Sequence, residues 1–267
     1  MSPKHIDFHT HIFPPDMAPK TLEEMTKRSI PSYADGTLEG LMDSMDAAGI
    51  DISVVSRITT KPEQVESINQ WLLSTKQERI HPLATWHPDL PVDPDVINDL
   101  RRQGFKGFKL HPDYQGFIVD DKCMFPFYEA VRAEGMFILF HAGLDRGLPG
   151  PLNAPPERLV KIHEAFPDLT MILAHMGGEE IYDRTETCLL GRNIYLDTSF
   201  VLRKMPIEIL KRFVNRHAID RFLFGTDSPW VDQTMDLKFL LSLPFLTEEA
   251  KEKIAGTNAV RLLDQHG

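Results

Sequence analysis

Short apolar runs alternate with longer amphipathic stretches along the whole chain. The runs are β-branched, aromatic or Leu-rich, and Gly, Pro, Asp or Asn bounds them, as at strand ends. They predict strands near His5–Phe8, Ile52–Ser56, His81–Trp86, Gly107–Leu110, Met136–Phe140, Leu169–Ala174, Ile194–Thr198 and Arg221–Gly225. MFILF and LTMILA are apolar throughout, as parallel strands covered on both faces are. Between the runs, apolar positions recur at helical spacing. TLEGLMDSMDAAG (37–49) has Thr37 as a cap, Leu38, Leu41, Met42 and Met45 on one side, and Gly49 as a stop. PEQVESINQWLL, PDVINDLRRQG, FYEAVRAEG, PERLVKIHEAF, GEEIYDRTETCLL and PIEILKRFVNRHA repeat the theme. A last helical region runs from about Met235 to Leu263, interrupted by SLP at 242–244.

Eight strand–helix units tile residues 1–267 with no linker or composition shift, so one domain is expected. The fold class is α/β, and eight units in this length is the arithmetic of a closed (β/α)8 TIM barrel. An open doubly wound sheet would be expected to carry a GxGxxG turn after its first strand, and there is none. The Asn258–Arg261 turn is expected to tie the last helix to the barrel. Two connections are long. One follows the first strand, from Phe13 to about Gly36, and the other is GLDRGLPGPLNAPP (143–156), after the fifth. Both are candidate lids or binding loops, with surface decoration as the plain alternative.

Parallel barrels carry their chemistry at the C-terminal strand ends. Here those ends are His9 and His11, Arg57, His87, Lys109 and His111, His141, His175, Asp197 and Asp227. Apolar runs that finish on imidazoles are costly unless the polar groups find partners, and a metal ion satisfies several at once. Alternate residues of a strand share a face, so His9 and His11 can grip one ion from one side. By the same count His141 falls with Leu139 and Phe137, His175 with Leu173 and Met171, and Asp227 with Leu223. Imidazoles plus one carboxylate, with a position open to water, form the pattern of a catalytic divalent site. His5 and Asp7 lie deeper and read as core or supporting residues. His163, His217 and His266 read as structural or exposed.

The formal net charge of −10 argues against a nucleic-acid or membrane-surface binder. The two cysteines, Cys123 and Cys188, are far apart, which fits a reducing, cytoplasmic setting. No apolar run is long enough to span a bilayer, and MSPKHIDF has no apolar signal core. The expected partner is a small molecule, with a carboxylate-bearing substrate and a homo-oligomer both left open.

DFHTHIFP, GFKLHP, FHAG, AHMGG, GTDSPW and GTNAVRLL, in this order, resemble the amidohydrolase superfamily. The nearest branch is the amidohydrolase-related one, with aminocarboxymuconate-semialdehyde decarboxylase and related aromatic acid decarboxylases. The resemblance implies His9, His11, His141 and Asp227 as metal ligands, with Asp227 and His175 catalytic. It also implies one divalent metal, zinc first and manganese second. In two-metal members the sixth-strand histidine is a ligand and a carboxylated lysine bridges the ions, so a carboxylated Lys109 would bring a second metal.

Lys109, His111, His87, Arg57, Arg146 and Asp197 are the candidates for a substrate or second-metal site. Arg57 and Arg146 could hold a substrate carboxylate through paired hydrogen bonds, and Asp197 could orient a ligand. The first functional expectation is a metal-dependent hydrolase acting on a small ester, lactone or amide through a metal-activated water. The second is a non-oxidative decarboxylase or hydratase using the same site. The chain is short for the decarboxylases of this branch, which favours hydrolysis at this stage. A barrel that binds without turnover is the third reading, and the full set of acid and base groups argues against it.

Overall fold

The N-terminal apolar run forms β1 (Ile6–His11) in a computed structural model that describes residues 4–150 and 152–266. Residues 1–3, 151 and 267 lie outside the described residues. With them go the start of the leading segment and one position of the second long connection. The strand is longer than expected, so both histidines belong to it and do not follow it. The next strands are β2 (Ile52–Ser56), β3 (Ile80–Pro82), β4 (Ala84–Thr85), β5 (Gly107–Leu110), β6 (Phe137–Phe140), β7 (Thr170–Leu173), β8 (Tyr195–Asp197) and β9 (Phe222–Leu223). Every neighbouring pair is parallel.

Strands β3 and β4 are two halves of one barrel strand. Pro82 has no N–H to give to a ladder, and the pairing breaks beside it. Leu83 N–H donates to Val55 O at 2.8 Å and carries the wall across the gap. The barrel closes between β9 and β1: Phe8 N donates to Phe224 O at 2.8 Å and Asp227 N to His9 O at 2.8 Å. Gly225 permits this seam, since a Cβ there would stand 2.9 Å from His9 Cβ. The expected (β/α)8 TIM barrel is therefore the architecture, with β3 and β4 counted as one strand.

Two layers of core hold it. Phe8, Val54, Leu83, Leu139, Ile172 and Leu223 fill the barrel, and Leu262 and Leu263 of the last helix plug its lower end. A larger layer packs between strands and helices. Burying each such side chain is worth roughly 1.5–3 kcal/mol. Residues 258–261 are not a separate turn but the start of the last helix, Asn258–Gln265; Asn258 Nδ2 donates to Ile219 O and Phe222 O at 2.9 and 2.8 Å and ties that helix to the barrel.

Of the two long connections, the first contains a helix, Ala18–Lys27, that the apolar pattern does not announce. The second, 143–156, has no helix before Pro156 among its described residues. Arg28 Nη1 donates to Gly147 O, so the two connections touch across the barrel mouth.

Candidate metal centre and active site

His11 Nε2 lies 3.0 Å from Asp227 Oδ1, and His9 Nε2 lies 3.4 Å from the same oxygen. What these atoms can do depends on where the ring protons are. His9 Nδ1 faces Asp197 Oδ2 at 2.8 Å, and His11 Nδ1 faces Ser56 O at 2.9 Å. Both partners only accept, so both Nδ1 atoms carry hydrogen and both Nε2 atoms present lone pairs in the neutral rings. Two lone pairs and a carboxylate oxygen then converge, and they repel one another unless a proton or a cation lies between them. Lys109 Nζ already stands 3.0 Å from His9 Nε2, a cationic donor aimed at that lone pair.

Ring protons are fixed in the same way at the ends of the fifth and sixth barrel strands. His175 Nδ1 faces Ser199 O at 3.0 Å and therefore donates. Its Nε2 is then an acceptor, and His141 Nδ1 meets it at 3.1 Å. His141 Nε2 is thus a lone pair, and it is buried without a hydrogen-bond partner. Three imidazole lone pairs and one carboxylate are a donor set that suits a divalent ion.

The electrostatics agree. Burial, with the Lys109 charge beside it, pushes His9 down to about 4, and burial with His111 holds His141 well below the usual imidazole range. Both rings are thereby kept neutral. Burial alone would raise the Asp227 carboxyl, but the imidazoles of His11, His9 and His175 gathered around it outweigh burial and hold it well below the usual carboxylate range. Asp197 is similar: the His9 and His175 interactions and the Ser199 hydroxyl overcome burial and keep it at about 2.

The expected ligands do not all meet in one group. His9, His11 and Asp227 offer atoms within 4.8 Å of one another, whereas His141 groups with His111 and Asp145. The cause is stacking: the His111 and His141 rings are 3.9 Å apart and 11° from parallel. The second group is no second set of ligands. His111 Nε2 is 2.9 Å from Asp145 Oδ2 and donates to it, and its Nδ1 receives Tyr114 N–H at 3.4 Å, so no lone pair is left over.

His175 reaches the cavity by a route that strand alternation does not give. Strand parity put it with Leu173 and Met171, yet those side chains face the outer layer, while Ile172 and Ala174 face the barrel. His175 reaches the cavity because β7 ends at Leu173 and the chain turns, with φ of 58° at His175 and 57° at Met176. Asp227 has φ of 70°, Glu180 60° and Phe200 63°. Each such position costs ~1–3 kcal/mol, and clusters of them mark functional sites.

The cavity measures about 240 Å³ and is lined by His9, His11, Lys109, His141, His175 and Asp227 at its floor. His111, Arg57 and Arg146 also line it. Lys109 is buried, and burial pushes its amine down to about 8. Gly107 beneath it has no room for a Cβ, which would stand 2.4 Å from the Phe137 ring. Asp197 does not line the cavity. It sits behind His9 and also accepts from His175 N and Ser199 N, both at 3.0 Å. His87 is not brought to the cavity; its Nδ1 accepts Asp89 N–H at 3.3 Å and caps a turn. Arg146 pairs with Glu179, 3.2 Å from Nε, and with Glu180. Sequence reasoning missed Glu179, Asp145, Tyr114 and Trp230 in the lining.

A family model described as Amidohydrolase matches residues 6–265. This chain belongs to that family. The chain is 23% identical to 2-amino-3-carboxymuconate-6-semialdehyde decarboxylase of Dictyostelium discoideum, over 97% of this chain and 91% of the relative. Among solved structures it is similar to an uncharacterised TIM-barrel protein of Bordetella bronchiseptica, with TM-score 0.75, 23% identity and 99% of each chain covered. It is also similar to 5-carboxyvanillate decarboxylase of Novosphingobium aromaticivorans, solved with manganese and 4-hydroxy-3-methoxy-5-nitrobenzoic acid. That match has TM-score 0.73 and 16% identity, over 98% of this chain and 96% of the other. The decarboxylase relative is spanned nearly end to end, so chain length no longer favours hydrolysis. No helix among the described residues is long and apolar enough to cross a membrane.

Proposed function

We propose that this protein is a metal-dependent, non-oxidative decarboxylase of a small planar carboxylic acid. The observation that carries the reading is the convergence of His9, His11 and Asp227 acceptor atoms, with no hydrogen of the neutral rings among them. The decarboxylase relative, matched over nearly its whole length, supports lyase over hydrolase chemistry.

His9, His11, His141 and Asp227 would hold one divalent ion. Manganese is favoured by the solved relative, and zinc by the imidazole-rich donors. When bound, the ion supplies the positive charge that draws in an anionic substrate and stabilises charge that develops on its oxygens. Asp197 fixes His9 with its lone pair forward, and Ser56 O does the same for His11. Lys109 places a cationic donor on the cavity floor, suited to a carboxylate oxygen. His175 keeps a proton on Nδ1 against Ser199 O and accepts the His141 Nδ1 hydrogen at Nε2, so Nε2 would take up or return the proton that replaces the lost carboxylate only when the ring leaves His141 and turns to the cavity it lines. Phe13, Ile30, Met25 and Trp230 form an apolar wall that excludes water from the substrate body. One ion per chain is expected, because His111 has no lone pair for a second.

Manganese-loaded protein, offered a panel of aromatic and unsaturated carboxylic acids, should release carbon dioxide from at least one. Products that keep all the carbon and gain water, from an ester or lactone panel, would return the function to hydrolysis.

A further inference from the structure

Asp7 is fully buried on β1, and among the described residues no nitrogen of Lys, Arg or His comes within 4.0 Å of its carboxylate. Hydrogen bonds alone hold it. Oδ1 accepts from His9 N at 3.2 Å and from Thr226 N at 3.0 Å. Oδ2 accepts from Gln233 Nε2 at 2.8 Å and from the Thr226 hydroxyl. Together these donors fill the lone-pair sites of a carboxylate. A buried acid without a cation is tolerable only with such a set, so each donor is held as firmly as the acid itself.

The first donor belongs to a bulge. Asp7 pairs with Ser53 and Thr10 with Val55, so β1 carries one residue more than β2 between these pairs. A bulge switches the faces that the following side chains take. Before it, Ile6 and Phe8 point into the barrel core. After it, His9 and His11 line the cavity above. The His9 N–H, at the bulge itself, is taken by Asp7.

The other donors stand at the two ends of one segment. Thr226 follows β9 and precedes Asp227. Its Oγ1 accepts Ser228 N at 3.1 Å, so its one hydrogen goes to Asp7. The residues on both sides of Asp227 are thereby fixed, and Asp227 N donates to His9 O at 2.8 Å. Asp227 itself has φ of 70°, a conformation that persists only where the surroundings over-determine it. Gln233 opens the helix Gln233–Ser242 and is fully buried. Among the described residues its Oε1 has no partner, so Asp7 alone holds its amide. Between Thr226 and Gln233 lie Asp227 and Trp230, both of which line the cavity.

We propose that Asp7 is the positioning residue of the metal centre. It holds the bulge that turns His9 and His11 into the cavity, and it pins segment 226–233 so that Asp227 meets them. This rests on the metal-dependent reading and is indifferent to whether the reaction is decarboxylation or hydrolysis.

Cobalt(II) is the probe, because its visible bands report the number and geometry of its ligands. Asp7→Asn keeps the size of the side chain and sets a donor against donors. Cobalt affinity, measured by competition with a chromogenic chelator, should fall by about 10–100-fold. The bands of the cobalt-saturated variant should also change in position or intensity, which a loss of stability alone would not cause. Gln233→Met removes one of the bonds and should cost about fivefold in affinity, the scale of a single hydrogen bond. Melting temperatures establish that each variant is folded. A folded Asp7→Asn that keeps both the affinity, within about twofold, and the wild-type bands overturns the proposal. Should Asp7→Asn not fold, Gln233→Met decides by the same criterion. Wild-type protein that binds no cobalt, manganese or zinc overturns the metal-dependent reading itself and Asp7's role with it. Wild type and variant that bind alike overturn Asp7's role only.

Discussion

His141 Nδ1 lies 3.1 Å from His175 Nε2, and this single hydrogen bond links a metal-ligand candidate to the proposed proton handler. With His175 Nδ1 committed to Ser199 O, the proton in the link belongs to His141. The two histidines consequently have separable roles.

His175→Asn should lower turnover by roughly 10²–10⁴-fold, the usual size of a lost acid/base group. Metal content, read by elemental analysis, should stay near one ion per chain. Loss of the ion together with activity would make His175 a ligand.

Asp197 touches no cavity space but fixes the His9 tautomer. Asp197→Asn should weaken metal affinity by roughly 10–100-fold, as loss of a partner to a ligating histidine does. Competition against a chromogenic chelator measures it, and an unchanged affinity would deny Asp197 that role.

Glu179 gives a prediction with a sign. Burial raises its carboxyl from 4.5 to about 7, opposed in part by His175, Lys204 and Arg146. The folded state therefore holds a proton that the unfolded chain releases near pH 4.5. The stabilising contribution is complete below that pH and is lost as pH rises through about 7. Glu179→Gln has no such proton. Between pH 5 and pH 8 the wild type should lose up to about 3 kcal/mol relative to the variant in urea unfolding. A gap that stays constant across this range refutes the assignment.

Removal of the ion by a chelator should abolish activity and lower the melting temperature, and manganese or zinc should restore both. Ligand at a hundred times its Kd stabilises by about 2.7 kcal/mol. Full activity in chelator would dispose of the metal-dependent reading.

Gly225→Ala tests the seam of the barrel. Its new methyl would meet His9 Cβ at 2.9 Å, and β1 would have to shift. We expect destabilisation of about 1–3 kcal/mol, read by denaturant unfolding, with weakened metal binding because His9 rides on the same strand.

The barrel was legible because its strands are short, apolar and bounded by breakers, and because each repeats the same alternation with a helix. The rim residues His9, His11, Lys109, His141 and Asp227 were legible for the same reason, since strand ends converge by topology alone. Parity failed at His175, where the strand had already ended and left-handed backbone sets the direction. It did not foresee that His141 would stack on His111, a contact between different strands. His87 was over-read because a strand end does not say which way the next turn goes. Glu179, Asp145 and Tyr114 were missed because they come from turns and loops, where a sequence has no period to count.

The Arg28 bridge to Gly147 has a practical meaning for anyone altering what this enzyme accepts. Segments 13–36 and 143–156 are knotted to each other over the entrance. A chimera that borrows only one of them from a relative severs that bond and leaves the gateway ajar. Exchanging both as a matched pair keeps the doorway intact while its selectivity is rewritten.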